Sequence, residues 1–592
     1  MIHIPKPRTA TSVIFGVNLG LGVWVFRSLI ANAASHLPDA FDYPFYTWVV
    51  FQNIAQLRSF QLDGYFNTNI FYPFQGSLLF SDLLLPQSLI GWPVALAVTN
   101  PIAVFNVVFL VTLLLNLVAG WWFWGRLISR PSRLLLATLT TFLSPYFFSQ
   151  LGHFQMITFW PFLAGLGLVM GRRARWWKPI FTGALITVQL LASVYLSLFM
   201  LTSIGLWYAL RLWYQRRRLD QLKGLLVRGA VTAAVFVVTA APLIAAYLNI
   251  RQAYQIDRHA GEYVTYAAQP SDVFFYSPHS LVGQSGLGKA LRRFNNHVMG
   301  EIAATPGVAL GGLAMLGLFR LKKNKREVAV TFPSKFEPVY FGLLVVIGLL
   351  FALGTRLTVN GAYTGIPLPY LLVIKAVPIL EPIRSTGRWL FIAYLGLSYF
   401  AVQGLAKLES KLSLPAGLMV AGLMIVYVAE VVPTRHHSME VASAFSGYVP
   451  LQRHCQQDPG VLLEYPLNQD VVGANIATNL RYKTTIMLSS LRHDCQLVNG
   501  YSGYVPDGHT AHEAALNQTV KTGDEAGWWQ LLDQRDVKYL RLNKAALAPS
   551  EVATVETWLS NRSQVEQLHN SQEYTIVKLP PNDANNAAAP GS

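Results

Sequence analysis

Residues 33–82 read AASHLPDAFDYPFYTWVVFQNIAQLRSFQLDGYFNTNIFYPFQGSLLFSD and follow directly on an apolar run, Thr11–Ile30, that is long enough to cross a bilayer. Asp39 and Asp42 stand three apart in this mixed polar and aromatic loop. A carboxylate beside lipid has to be solvated, paired or put to work. The rest of the chain reads as membrane scaffold that holds the loop, closed by one soluble domain.

Of the 592 residues, 53% are hydrophobic and only 13% are charged, against about a quarter charged in soluble proteins. The deficit lies in uncharged runs near 12–30, 103–125, 134–151, 156–171, 179–194, 196–213, 229–248, 302–319, 338–355, 387–406 and 413–432. These predict an α-helical polytopic membrane protein with about eleven transmembrane helices. Residues 179–213 form one long run that would overshoot a ~30 Å hydrocarbon core as a single helix. A hairpin broken at Ala192-Ser193-Val194-Tyr195 is expected instead. Lys6, Arg8 and the small residues Ala31-Asn32-Ala33 outline a signal peptide, but the first run is of spanning length and others follow. An uncleaved anchor is the expectation.

The formal charge of +16 does not make this a nucleic-acid binder. The cations fall in clusters that close apolar runs, at Arg126/Arg130/Arg133, Arg172/Arg173/Arg175/Lys178, Arg216/Arg217/Arg218/Lys223/Arg228 and Lys322/Lys323/Lys325/Arg326. That is the pattern of the positive-inside bias. It also decides the ambiguous segment 83–98, which contains Pro86 and Pro93. If 83–98 does not cross, every later basic cluster falls on the side of Lys6 and Arg8; if it crosses, all fall on the wrong side. It is read as a juxtamembrane or re-entrant helix. The same parity puts 33–82, 149–155, 193–195, 249–300, 357–386 and everything after Pro433 on the outer face.

From 433 the charge density rises and the apolar runs shorten. Gly460–Pro466, Val537–Leu542 and Tyr574–Leu579 read as strands and Glu525–Gln534 as helix, so 433–580 is expected to be a soluble α/β domain. The tail 581–592 is polar and expected to be disordered. Cys455 and Cys495 both lie here; a disulfide in an extracytoplasmic compartment and two buried thiols are both open readings.

No GxxxxGK[ST], GxSxG, HExxH or CxxC is present, and the glycines of 283–288 (GQSGLG) read as loop. The remaining candidates are polar residues on the expected outer face. Asp39 or Asp42 would serve as general base, or would be an ordinary solvated acid. Asp82 would act in the site or sit at the N-terminus of the 83–98 helix, favoured by its dipole. His153 would donate to a phosphate oxygen, or face water at a span end. Arg384 and Arg388, four apart, share a face if helical, and two guanidiniums there suit a lipid-linked phosphate. Their alternative is snorkelling.

At these residues the chain resembles the GT-C superfamily of polytopic membrane glycosyltransferases, in particular a bacterial subgroup. The resemblance rests on Asp39, Asp42 and the aromatic stretch to Trp48, on Asn69-Ile70-Phe71-Tyr72-Pro73-Phe74, Ser81-Asp82-Leu83-Leu84 and Leu151-Gly152-His153-Phe154-Gln155. It continues in Arg384-Ser385-Thr386-Gly387-Arg388 and Leu497-Val498-Asn499-Gly500-Tyr501-Ser502-Gly503-Tyr504. Asp82-Leu83-Leu84-Leu85-Pro86 stands where other branches carry a histidine-proline-proline-type signature. The resemblance implies a bacterial inner-membrane enzyme with a cytoplasmic N-terminus that takes sugar from a polyprenyl-phosphate donor to an extracytoplasmic lipid or glycan acceptor. Asp39 or Asp42 would be the base, and Arg384, Arg388 and His153 would hold the phosphate. Some branches use a divalent metal and others do not, so metal use stays open. A flippase for lipid-linked saccharides is the rival, although it calls for ionisable residues in mid-span. A non-catalytic scaffold is the third reading.

Overall fold

The structure, a computed structural model, describes residues 9–60, 63–171, 175–256, 260–293, 305–319, 336–381, 383–412, 415–434, 438–468, 476–493 and 495–581. Lys6, Arg8, Arg172, Arg173, the basic cluster 322–326 and the tail from 582 lie outside the described residues. The chain forms two compact units: Met1–Ala31, Phe109–Ile244 and Asp257–His436 in one, Asn32–Val108, Ala245–Ile256 and His437–Ser592 in the other.

The first unit is almost entirely helical. Among the described residues, Pro101–Leu127, Val194–Gln215, Leu219–Ala253 and Thr386–Lys411 are long and apolar enough to cross a membrane. Shorter apolar helices, Ser12–Val25, Phe154–Val169, Trp177–Ala192, Gly307–Leu318, Phe336–Ala352 and Gly417–Val431, fall in six other expected runs. The run 134–151 is not one helix, contrary to expectation. It divides into Pro131–Phe142 and Pro145–Ser149, because Pro145 has no N–H to continue the ladder and Ser144 caps the second piece through Phe147 N at 3.0 Å. The hairpin expected within 179–213 is present: Ser193 is extended and separates helices Trp177–Ala192 and Val194–Gln215. The glycines at 283–288 lie in two short helices, Leu281–Gln284 and Gly286–Arg292, not in a loop, each opened by a serine cap (Ser280, Ser285).

Small residues bring two of these helices backbone to backbone. A Cβ on Gly404 would lie 1.9 Å from Leu313 O, and one on Gly317 would lie 2.0 Å from Phe400 O. The buried acids of this unit have definite partners. Arg133 pairs with Glu409 at 2.8 Å, and the Glu430 carboxylate accepts the N–H groups of Val308 and Ala309 at the start of helix Gly307–Leu318.

The chain has nine strands among its described residues: β1 (His36–Leu37), β2 (Arg356–Val359), β3 (Ala362–Pro367), β4 (Met439–Glu440), β5 (Val461–Tyr465), β6 (Gln496–Leu497), β7 (Val537–Asn543), β8 (Glu566–Asn570) and β9 (Tyr574–Lys578). β2 and β3 form a hairpin in the first unit, turned by Asn360-Gly361, both at positive φ.

The second unit joins the loop after the first apolar helix to the C-terminal segment. β1 pairs antiparallel with β4. A five-stranded sheet in the order β6-β5-β7-β9-β8 follows, parallel across β6, β5 and β7 and antiparallel across β7, β9 and β8. The three strands read from the sequence are β5, β7 and β9. Helix Ile476–His493 connects β5 to β6, and helices Asp507–Thr522 and Glu525–Asp533 connect β6 to β7. The core of this sheet is built from Leu463, Leu540, Leu542, Leu516, Trp528, Val555 and Val577, all at most 2% exposed. The buried charges of β5 and β7 meet: Arg541 pairs with Glu464 at 2.6 Å, and Tyr448 also donates to Glu464. Cys455 and Cys495 are joined by a disulfide.

Residues 83–98 contain helix Leu85–Ala97, with Pro86 in its first turn and Pro93 inside it. Its 13 residues extend about 20 Å, short of a ~30 Å hydrocarbon core.

Candidate active site

Asp39 and Asp42 frame the start of helix Asp42–Ser59, and the two carboxylates do different things. Asp39 Oδ1 accepts the N–H of Phe41 at 2.8 Å and that of Tyr43 at 3.4 Å, an Asx-type turn that leads into the helix. Asp42 is the first residue of that helix, where the dipole favours an acid. Its Oδ1 accepts the hydroxyl of Tyr501 at 3.0 Å. Tyr43, fully buried between them, has its phenol pushed well above the usual range by burial and then by the charges of Asp39 and Asp42. Both acids therefore act electrostatically on one point.

Tyr501 is held in place by its chain neighbours. Asn499 Oδ1 accepts Glu464 N and its Nδ2 donates to Glu464 O, both at 2.8 Å, which fastens the segment to β5. The stretch 69–72 then pairs with 497–499: Leu497 N donates to Asn69 O, Phe71 N to Asn499 O and Tyr72 N to Leu497 O. Asn69 Oδ1 also receives Trp48 Nε1 and Gln52 Nε2, each at 3.1 Å. Two of the short motifs singled out in the sequence thus dock on each other and on the helix that begins at Asp42. The Tyr501 ring meets Phe45 of that helix edge-on at 5.5 Å. Tyr504 donates to Tyr254 O at 2.9 Å.

Asp82 is not in the first turn of the helix that follows it, which begins at Leu85. It lies beside Ser81, whose carbonyl accepts the Tyr247 hydroxyl at 3.0 Å, while the Leu83 carbonyl accepts Asn53 Nδ2 at 2.8 Å.

The other candidates belong to the first unit. His153 sits between helix Pro145–Ser149 and the 3₁₀ turn Phe154–Ile157, its N–H donating to Gln150 O at 2.8 Å. Arg384 and Arg388 do not share an α-helical face, because Arg384 precedes a 3₁₀ turn at Thr386–Trp389. Each nevertheless lies over a tyrosine ring. Arg388 lies over the Tyr195 ring at 4.7 Å, and the Tyr195 oxygen accepts Ser385 N at 3.1 Å. Arg384 lies over Tyr266 at 5.1 Å and pairs with Glu262 at 2.5 Å. Burial alone would lower the Arg384 pKa, but the bond to Glu262 and its charge outweigh this and raise it. Arg384 therefore stays cationic with part of its charge balanced by Glu262.

Sequence reasoning found the acids and the arginines but not what holds them. Tyr501 lay within a quoted motif, yet no local spacing links it to Asp42, 459 residues away. Glu262 lay in no motif at all. Among the described residues, His, Cys, Asp or Glu ligand atoms come close enough to hold a metal at Cys455, His493 and Cys495. The disulfide takes both thiols, so that set does not fit a resident ion.

The archaeal oligosaccharyltransferase AglB from Archaeoglobus fulgidus, in complex with an inhibitory peptide and a dolichol-phosphate, matches over 90% of this chain and 69% of its own, at 11% identity and a TM-score of 0.45. The Archaeoglobus fulgidus oligosaccharyltransferase complexed with Zn and sulfate matches over 90% and 68%, at 12% identity and a TM-score of 0.46. No curated protein matches the sequence. The family model described as a domain of unknown function, DUF6311, matches residues 42–431, two thirds of the chain, from the helix that begins at Asp42 to the end of the last apolar helix, and the chain belongs to that family.

Proposed function

We propose that this chain is a membrane glycosyltransferase that moves a sugar from a polyprenyl-phosphate donor to an acceptor hydroxyl. The observation that carries the proposal is the Asp42 carboxylate, held at a helix start by the Tyr501 hydroxyl in the loop directly after the first apolar helix. The motifs through which the chain resembles GT-C enzymes include that acid and that tyrosine.

In this reading the acceptor O–H gives its proton to a carboxylate of the 39–42 pair as its oxygen attacks the anomeric carbon. The bond from that carbon to phosphate oxygen breaks, and the electron pair leaves with polyprenyl phosphate. Arg388 and Arg384 stabilise the charge gained by the phosphate, and His153 contributes a donor. A divalent metal, where one is bound, would supply further charge stabilisation to the phosphate. The acceptor is a lipid or glycan of the bacterial envelope, bound or oriented by the soluble C-terminal residues.

The orientation proposed puts the N-terminus in the cytoplasm and residues after 433 outside. The disulfide supports it, since disulfides persist in oxidising compartments. The count of about eleven spans belongs to the same proposal.

The test is reconstitution of the full chain in proteoliposomes with undecaprenyl-phosphate hexose labelled in the sugar. Cleavage of the sugar–phosphate bond with transfer to co-reconstituted envelope lipid is the expected result. Movement of intact donor across the bilayer without cleavage would replace this reading with the flippase.

A further inference from the structure

We propose that the Tyr501 hydroxyl positions the Asp42 carboxylate as the acid–base group of this chain, leaving Asp39 to build the turn. The inference rests on the glycosyltransferase reading and deepens it by separating two acids that the sequence leaves equivalent.

The separation follows from what each carboxylate bonds. Asp39 Oδ1 accepts two backbone N–H groups, those of Phe41 and Tyr43, which is the work of a turn former. Asp42 Oδ1 meets a side-chain hydroxyl delivered from 459 residues away. A tie of that length is not needed to start a helix. It does orient the carboxylate, and an O–H donor favours its charged form. Two further contacts make Tyr501 a rigid donor. Asn499, two residues before it, is bonded reciprocally to the backbone of Glu464, and the Tyr501 ring is buttressed by Phe45, one turn after Asp42 on the same helix. The donor and acceptor are therefore braced from both sides.

Charged and titratable groups also surround Asp42 on its own helix and on a helix packed against it. Asp39 and Tyr43 flank it, and the Tyr43 phenol remains protonated. Helix Leu85–Ala97, packed on helix Asp42–Ser59, has no charged residue. Helix Ile476–His493, also packed on it, carries Arg481, Tyr482, Lys483, Arg492 and His493. Of these, Tyr482 donates to Pro466 O, Lys483 pairs with Glu513, Arg492 lies over Phe445, and His493 is neutral through burial.

The test uses the full chain in nanodiscs and reads two things: the infrared carboxyl band lost in D42N, titrated against pH, and the acid limb of the rate of hexose release from undecaprenyl-phosphate hexose. In Y501F the infrared midpoint and the acid limb are expected to move up together by about one pH unit, because a hydrogen bond to the charged form is gone. With 3-fluorotyrosine in place of Tyr501, a stronger donor that keeps the ring, both are expected to move down. This second substitution keeps the test valid if Y501F does not fold. A midpoint unmoved in both overturns the proposal, whatever the rate does. Transfer by wild type with an unmoved midpoint would leave the enzyme reading intact and remove Tyr501 from it. A moved midpoint without any hexose release would uphold the Tyr501–Asp42 tie and overturn the transfer reading.

Discussion

The ring of Phe71 occupies the space that a side chain on Gly500 would need: a Cβ built there lies 2.5 Å from Phe71 Cδ1. Phe71 is fully buried and held at φ +60°, a conformation that bulky residues rarely adopt. Two segments more than 400 residues apart are thus fitted to each other with no room for a methyl group. The fit sets where Tyr501, the next residue, can point.

G500A is accordingly expected to destabilise the second unit by about 1–3 kcal/mol, the usual cost of overpacking. It should also loosen 69–74 from 497–504. Thermal unfolding and proteolysis within residues 63–82 measure the two effects. An unchanged Tm with unchanged cleavage would contradict the fit.

The buried pair Arg541–Glu464 offers a sharper stability test. Glu464 is fully buried and Arg541 is only 8% exposed. Losing one partner leaves an uncompensated charge, so E464Q is expected to cost about 3–5 kcal/mol. The double variant E464M/R541M should recover most of that loss. Recovery distinguishes an electrostatic lesion from a packing one, and a double variant as unstable as E464Q would argue for packing.

The disulfide closes a loop with a sequence separation of 40, for which chain-entropy reasoning gives about 4 kcal/mol. C455S, or treatment with a strong dithiol reductant, should lower the Tm of the second unit markedly and leave that of the first nearly unchanged. Equal loss in both would contradict the assignment of the bond to one unit.

Three histidines of the second unit make stability depend on pH. Burial pushes His493 and His509 down to about 3 and His512 down to about 4, with nearby cations adding to the effect. Each is therefore neutral when folded but binds a proton near pH 6.5 when unfolded. Their contribution is complete above about pH 6.5 and is lost as pH falls towards 4 and 3. Between pH 7 and 5 each should account for at most about 2 kcal/mol. The Tm of the full chain should fall over that range, and H509Q should make the fall shallower. A flat Tm between pH 7 and 5 would contradict the burial.

Much of this organisation is legible in the sequence, and the remainder fails for identifiable reasons. Strands β5, β7 and β9 were readable because each is a short apolar run bounded by turn residues. Ser193 was readable because one helix could not be as long as its run. Run 134–151 misled because Ser144-Pro145 is apolar enough in context to hide a break. The β2–β3 hairpin carries Asn360-Gly361, the standard short-turn signal, within the segment 357–386 that parity places on the outer face. Asp39 and Asp42 were visible as candidates, yet nothing local separates them: the difference is made by Tyr501, and contacts at such separations have no periodicity to read. The same holds for Glu262 beside Arg384.

The most direct test of the central claim is the rate of hexose transfer by D42N beside wild type, with donor binding measured on the same samples. The account predicts a loss of about 10²–10⁴-fold in rate with binding retained, as for removal of a general base. D42N protein that transfers hexose at the wild-type rate would contradict it.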